Sequence, residues 1–250
     1  MSKPMPRRIL ILGATSAIAS AVARELLASH AQFFLVARNT EKLDSVRKDL
    51  LTRGAGAVTT CVLDLDNTAA HEQMFSAALH ALGSIDLALI AYAVSGNQNE
   101  AQTSATAAAA ILHTNFISTV SLITWLANYF ENAHRGTLAV ISSVAGDRGR
   151  KSNYVYGASK GALNVFLDGV RNRIDRAGVQ VLTVRPGFVS TPMTAHLPQG
   201  PLFASPAHVA KGILKAVAAN KDVVYVPGFW RPIMFIIRSI PEFVFKKLNL

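Results

Sequence analysis

The chain has 250 residues, half of them apolar and 16% charged, with 25 Lys and Arg against 15 Asp and Glu for a net charge of +10. That apolar share is ample for a buried core, and 250 residues suit one α/β unit built around a single sheet. A single cysteine, Cys61, excludes an internal disulfide, and the basic surplus suits an anionic cofactor, an anionic lipid surface or nucleic acid.

Arg7 and Arg8 precede the apolar stretch ILILGATSAIASAVA, which has the outline of a signal peptide. Thr15 and Ser16 interrupt that stretch and Arg24 and Glu25 close it, so residues 8–12 read better as a first strand, and the expected compartment is the cytoplasm. Further apolar runs at 33–37, 58–63, 85–92, 137–141, 179–184 and 223–226 alternate with helical patterns. Strands that lack strict alternation are buried on both faces, as in a parallel sheet covered by helices. Residues 1–228 are therefore expected to form one doubly wound α/β domain around a seven-stranded, mainly parallel sheet. Cys61, inside VTTCVL, reads as a small core residue.

The first strand runs into Gly13 and then Ala14-Thr15-Ser16-Ala17-Ile18-Ala19, with a helix expected over 20–29. A strand, a glycine turn and a helix N-terminus form a Rossmann-type phosphate site, because free backbone N–H groups and the helix dipole face the anion. Gly13, Thr15, Ser16, Ala17 and Ile18 are the candidate residues. Ala17 and Ala19 stand where that pattern has glycines, which a methyl group tolerates if φ stays negative. The second strand ends Val36-Ala37-Arg38, with Ala37 at the position where an acid would bind the ribose 2′-hydroxyl of NAD. Arg38 suits the 2′-phosphate of NADP(H), the expected cofactor; a solvated loop is the plainer reading of the same residue. Asp64 reaches the adenine or turns the chain, and the small residues from Ala91 let backbone approach a flat ring.

Asn115 is a polar amide in an apolar helical pattern, either a kink or a site group. Tyr156 and Lys160 lie four apart, on one helical face if 154 onward is helical, with Ser143 thirteen residues upstream of the tyrosine. A cation beside a phenol lowers its pKa, which makes the tyrosine a general acid or base, and Ser143 could hydrogen-bond the same substrate oxygen. Arg148, Arg150 and Lys151 form a basic cluster between Ser143 and Tyr156, a clamp for a substrate phosphate or a solvated loop. No His, Cys, Asp or Glu cluster has metal-ligand spacing, so no metal is expected.

In order and spacing, GATSAIA, the pair Asp64-Leu65, Asn115, Ser143, Tyr156 with Lys160, and RPGFVSTP from Arg185 to Pro192 resemble the short-chain dehydrogenase/reductase family. The resemblance implies that Tyr156 protonates a carbonyl oxygen and that Lys160 lowers its pKa and holds the nicotinamide ribose. Ser143 would position the carbonyl, and Asn115 would support a water leading to Lys160. Pro186, Gly187, Val189 and Thr191 would contact the nicotinamide end, Leu65 would line the cofactor site, and the assembly would be a homodimer or homotetramer. Ala17, Ala19 and the segment AYAVSG depart from the family's pattern at the cofactor site. GDRGRKSNYVYGASK and the tail VPGFWRPIMFIIRSIP are also similar to bacterial reductases of a decaprenylphosphoryl 2-keto-pentofuranose. A soluble reductase of a small ketone, acyl or sterol substrate and a non-catalytic NADP-binding regulator are the competing expectations.

Residues 229–250 form an amphipathic tail with Arg231, Arg238, Lys246 and Lys247 among aromatic and aliphatic residues. Its uncharged run at 232–237 is far short of the ~20 residues that cross a bilayer. Apolar positions 233, 236, 237, 240 and 244 have helical spacing, broken near Pro241, and fit a membrane-surface contact on the inner face of the plasma membrane. Packing on the protein or on a second subunit is the alternative. The basic residues are spread along the chain without an aromatic-interleaved patch, which argues against nucleic acid.

Overall fold

A computed structural model describes residues 5–248. The strands are β1 Arg8–Leu12, β2 Gln32–Ala37, β3 Ala57–Val62, β4 Leu87–Ile90, β5 Thr137–Ile141, β6 Gln180–Pro186, the two-residue β7 Phe188–Val189 and β8 Phe203–Ala204, and β9 Val223–Val226. Seven of them form one sheet in the order β3-β2-β1-β4-β5-β6-β9, every pairing parallel. The order reverses between β1 and β4, so their carboxyl ends part and open a crevice there.

The helices are α1 Ala17–Glu25, α2 Thr40–Thr52, α3 His71–Leu82, α4 Gln98–Ala101, α5 Ala105–Leu112, α6 Ser118–Ala133, α7 Tyr154–Ile174, α8 Pro206–Ala218, α9 Trp230–Ser239 and α10 Glu242–Phe245. Side chains alternate across a strand, so Ile9 and Ile11 of β1 join the core under α1, α2 and α8, while Leu10 and Leu12 join the one under α3, α6 and α7. Both faces are covered, which explains why the central strands read as unbroken apolar runs. The edge strand β3 differs: with a neighbour on one side only, it leaves Val62 exposed and Cys61 half-buried, so Cys61 is not the core residue expected of it.

Helix α1 starts at Ala17 rather than at the expected residue 20, and a separate 3-10 turn, Leu27–Ser29, follows it. The alanines that replace the motif's glycines are good helix formers and carry the helix back to Ser16. Neither has positive φ, which meets the condition set for them. Between α5 and α6 the helix widens into a π turn, His113–Ile117, with Asn115 at its centre and no exposed surface. Such bulges concentrate at functional sites.

Candidate active site

A cleft of about 980 Å³ opens at the carboxyl ends of the strands. Gly13, Thr15, Ser16, Ala17 and Ile18 line one end of it. Gly13 has φ +88°, and a Cβ there would lie 2.7 Å from the Cβ of Tyr92, so glycine is required where the turn passes β4. The Gly13 and Ala14 N–H groups both donate to the Val36 carbonyl, at 2.9 and 3.0 Å, which fixes the turn against β2. Ser16 at the helix start makes no side-chain cap, leaving the N–H groups of the first turn of α1 for an anion. This cradle of free N–H groups at a glycine turn fits a dinucleotide pyrophosphate.

Arg38 and Asp64 meet at 3.9 Å beyond the ends of β2 and β3, both largely exposed and both on the cleft. Asp64 also accepts from the Asp66 N–H at 3.1 Å, so it turns the chain as well as facing the cleft. Leu65 lines the same wall. Lys42, on α2, adds a second cation there that sequence reasoning missed; its place one helical turn beyond Arg38 was the available signal. Ala91 forms the floor with Ala93 and Val94. The Tyr92 hydroxyl bonds Ser118 at 2.6 Å and Thr119 at 3.1 Å, and burial pushes its pKa up to about 12.

Asn115 forms the kink and does not itself line the cleft; it sits behind the cleft wall. Its Oδ1 accepts from the Val94 N–H at 2.8 Å, while Nδ2 donates to the Val94 carbonyl at 2.8 Å and to Ser159 Oγ at 3.2 Å. The buried amide is thereby satisfied, and the departure AYAVSG is held in place by a side chain instead of by its own pattern.

Ser143 follows β5, and its Oγ accepts from the Ala145 N–H at 3.1 Å. Its neighbour Ser142 is 2% exposed and also borders the cleft, but its hydroxyl donates to Asn164 Oδ1 at 2.7 Å on the scaffold side. A Cβ on Gly146 would lie 2.6 Å from the backbone carbon of Lys160; the bare backbone lets this loop sit directly on α7. Ser143, Tyr156 and Lys160 thus share the cleft. Lys160 is 2% exposed, its Nζ donates to the Ile141 carbonyl at 3.1 Å, and desolvation lowers its pKa to about 8. Its Nζ lies 5.9 Å from the centre of the Tyr156 ring. Burial raises the pKa of Tyr156, and the hydrogen bond with Ser143 offsets part of that rise. Here the electrostatics differ from the simple expectation of a cation-lowered phenol: Lys160 is buried and Tyr156 half-buried, and that loss of solvation disfavours the charge on each. Tyr156 is therefore protonated at neutral pH, the state a proton donor needs.

The basic cluster separates. Arg150 lines the cleft with its Nε buried and unbonded, and burial lowers its pKa. Lys151 is exposed and does not line the cleft. Arg148 faces the C-terminal segment, donating to the Ile237 and Ile240 carbonyls at 2.6 Å each and pairing with Glu242 at 2.9 Å. Pro186, Gly187, Val189 and Thr191 line the cleft beyond β6. Behind them lies a network unforeseen from sequence. Arg185 donates to Asp147 Oδ1 at 3.0 Å and to the Tyr225 hydroxyl at 2.9 Å, and Tyr225 donates to Asp147 Oδ2 at 2.7 Å. Asp147 directly precedes the basic cluster and Arg185 opens the RPGFVSTP stretch, which was the only sequence signal.

The arrangement can hold a dinucleotide along its glycine end and a carbonyl oxygen between Ser143 and Tyr156. A profile of the short chain dehydrogenase family matches residues 7–201. The chain is 38% identical over 240 residues to an uncharacterised oxidoreductase of Mycobacterium tuberculosis, covering 96% of each chain. It is 33% identical over 246 residues to one of Streptomyces coelicolor, covering 97% of this chain and 96% of that one. Among solved structures, levodione reductase superposes with a TM-score of 0.82 at 22% identity, over 90% of this chain and 98% of that one. A variant actinorhodin polyketide ketoreductase with NADPH gives 0.78 at 21% identity, over 88% and 95%. The chain is an oxidoreductase that uses a nicotinamide cofactor, and it belongs to the short-chain dehydrogenase/reductase family.

Proposed function

We propose that the protein reduces a ketone to an alcohol with NADPH and that Tyr156 donates the proton. The observation that carries this reading is the convergence of Ser143, Tyr156 and Lys160 on the cleft that also holds the Gly13 cradle. When bound, the reduced nicotinamide supplies a hydride to the carbonyl carbon. The Tyr156 Oη proton goes to the carbonyl oxygen and Ser143 holds that oxygen, so the developing alkoxide is stabilised more than the ketone. The Lys160 ammonium, beside the ring, favours the phenolate left behind, which is reprotonated from solvent. Arg38, with Lys42 beside it, supports NADPH over NADH, since two cations suit a 2′-phosphate and no carboxylate ends β2.

For the substrate, Arg150 supports an anionic group next to the ketone. A guanidinium that is partly desolvated and, among the described residues, has no ion-pair partner gains most from an incoming phosphate or carboxylate. The 2-keto group of a polyprenylphosphoryl pentofuranose is the specific candidate of that class. Purified protein tested with NADPH against that lipid-linked sugar, a soluble keto-phosphate and neutral cyclic ketones decides between them. Turnover should require an anionic ketone and fall about 10³-fold in Tyr156→Phe with NADPH binding intact. Equal turnover of neutral ketones would place the protein beside the levodione-type reductases, and wild type as inert as Tyr156→Phe on every substrate would sink the reductase reading.

A further inference from the structure

The C-terminal segment has an inner side and an outer side with opposite surroundings. Trp230 and Met234 of α9 are 3% and 1% exposed, packed with Val144, Phe188 and Tyr225, and the Trp230 indole lies against Gly187. The inner face is therefore residues 230, 233, 234 and 237, not the single stripe that the sequence suggested. Arg148 anchors the far end: besides donating to the carbonyls at the close of α9, its guanidinium lies 3.7 Å from the centre of the Phe245 ring. A cation over the last carbonyls of a helix caps it, so the break before α10 is held in a fixed geometry.

Outward, Phe235, Ile236 and Phe243 are 73%, 63% and 67% exposed, and Phe229, Val244 and Leu248 are also uncovered. Isolated apolar residues on a surface are ordinary, but this group lies within one short segment that is rigidly tethered. Arg231, Arg238, Lys246 and Lys247 are exposed among them, while the carboxylate of Glu242 is engaged by Arg148. A second copy meeting this face across a two-fold axis would set these cations against one another. An anionic lipid surface offers what the face lacks, an apolar layer for the rings and phosphates for the cations.

We propose that the outward side of residues 229–248 docks on an anionic lipid surface, with Phe235, Ile236 and Phe243 entering the headgroup boundary. The inference is independent of the reaction assigned above. The full-length protein is sedimented with vesicles of phosphatidylcholine alone and of phosphatidylcholine mixed with phosphatidylglycerol. Binding is expected on the mixed vesicles, weakened by salt, about tenfold lower in Phe235→Ser/Ile236→Ser and several-fold lower in Lys246→Glu/Lys247→Glu. All of these side chains are exposed, so NADPH binding should be unchanged and serves as the check on folding. Absence of binding to the mixed vesicles, or binding that neither variant reduces, overturns the proposal. So does a concentration-dependent dimer that Phe235→Ser/Ile236→Ser abolishes, which would give the face to a second copy.

Discussion

The two ends of the cleft are held by different physics. At the adenosine end the contacts are backbone and water-exposed charge: the Gly13 turn, the first turn of α1, and Arg38 facing Asp64 with side chains 68% and 55% exposed. At the catalytic end the charges are buried. Lys160 is 2% exposed, and the side chains of Asp147 and Arg185 are 1% and 12% exposed. An exposed ion pair is screened and contributes little to stability, whereas a buried charge that loses its partner is left uncompensated in low dielectric. The first end can therefore change its cofactor preference without disturbing the fold, while the second couples catalysis to folding.

Asp147→Ala breaks that comparison most sharply. It removes the acceptor of both Arg185 and Tyr225 and leaves the guanidinium, whose Nε is already unbonded, without a counter-charge. A loss of about 3–5 kcal/mol is expected by denaturant titration. Because the same loop carries Ser143 and contacts the C-terminal segment through Val144, kcat should fall as well. A change below about 1 kcal/mol would mean that water reaches the pair freely and that the two ends are alike.

Lys160 gives the next effect. Its native pKa, about 8, lies below the ordinary lysine value of 10.5, so between those values the unfolded chain binds more protons than the native one. The penalty for burying the ammonium is thus fully present below pH 8 and is relieved as pH rises toward 10.5. Stability should climb across that window by up to about 3 kcal/mol, and Lys160→Met should abolish the climb. The measurement is best kept below pH 10, since Tyr92 and Tyr156, with raised values, stay protonated until above it and would add the opposite slope. A flat profile in the wild type would place Lys160 in contact with water.

What was legible in the sequence follows the same division. Features set by local order were readable: strand positions from apolar runs, the Gly13 turn from its punctuation, and the Tyr156–Lys160 pair from helical spacing. Features made by contacts far apart in the chain were not. Arg148 reaches residues 237–242 and Asp147 reaches residue 225; neither spacing has a period, so a basic cluster read as one unit splits into a tether, a cleft residue and a surface lysine. The π turn was half legible, since an amide among core residues demands partners but does not say that they are the backbone atoms of Val94. The direction of the Tyr156 shift was misjudged for a related reason: spacing places the cation, whereas burial, which dominates, depends on the assembled fold.

The smallest effect belongs to the adenosine end. Arg38→Ala should weaken NADPH binding about tenfold or somewhat more, the size of one charge-assisted hydrogen bond to a phosphate, and leave NADH binding within about twofold. Its effect on folding should stay under about 1 kcal/mol, because the partner it leaves, Asp64, remains in water and bonded to the Asp66 N–H. The residual preference for NADPH in that variant then measures Lys42, the other cation on the same wall. If Arg38→Ala leaves the ratio of NADPH to NADH affinity untouched, the loop after β2 does not read the 2′-phosphate. If it lowers stability as much as Asp147→Ala does, surface and buried charge are not distinguished in this molecule, and the contrast between the two ends fails.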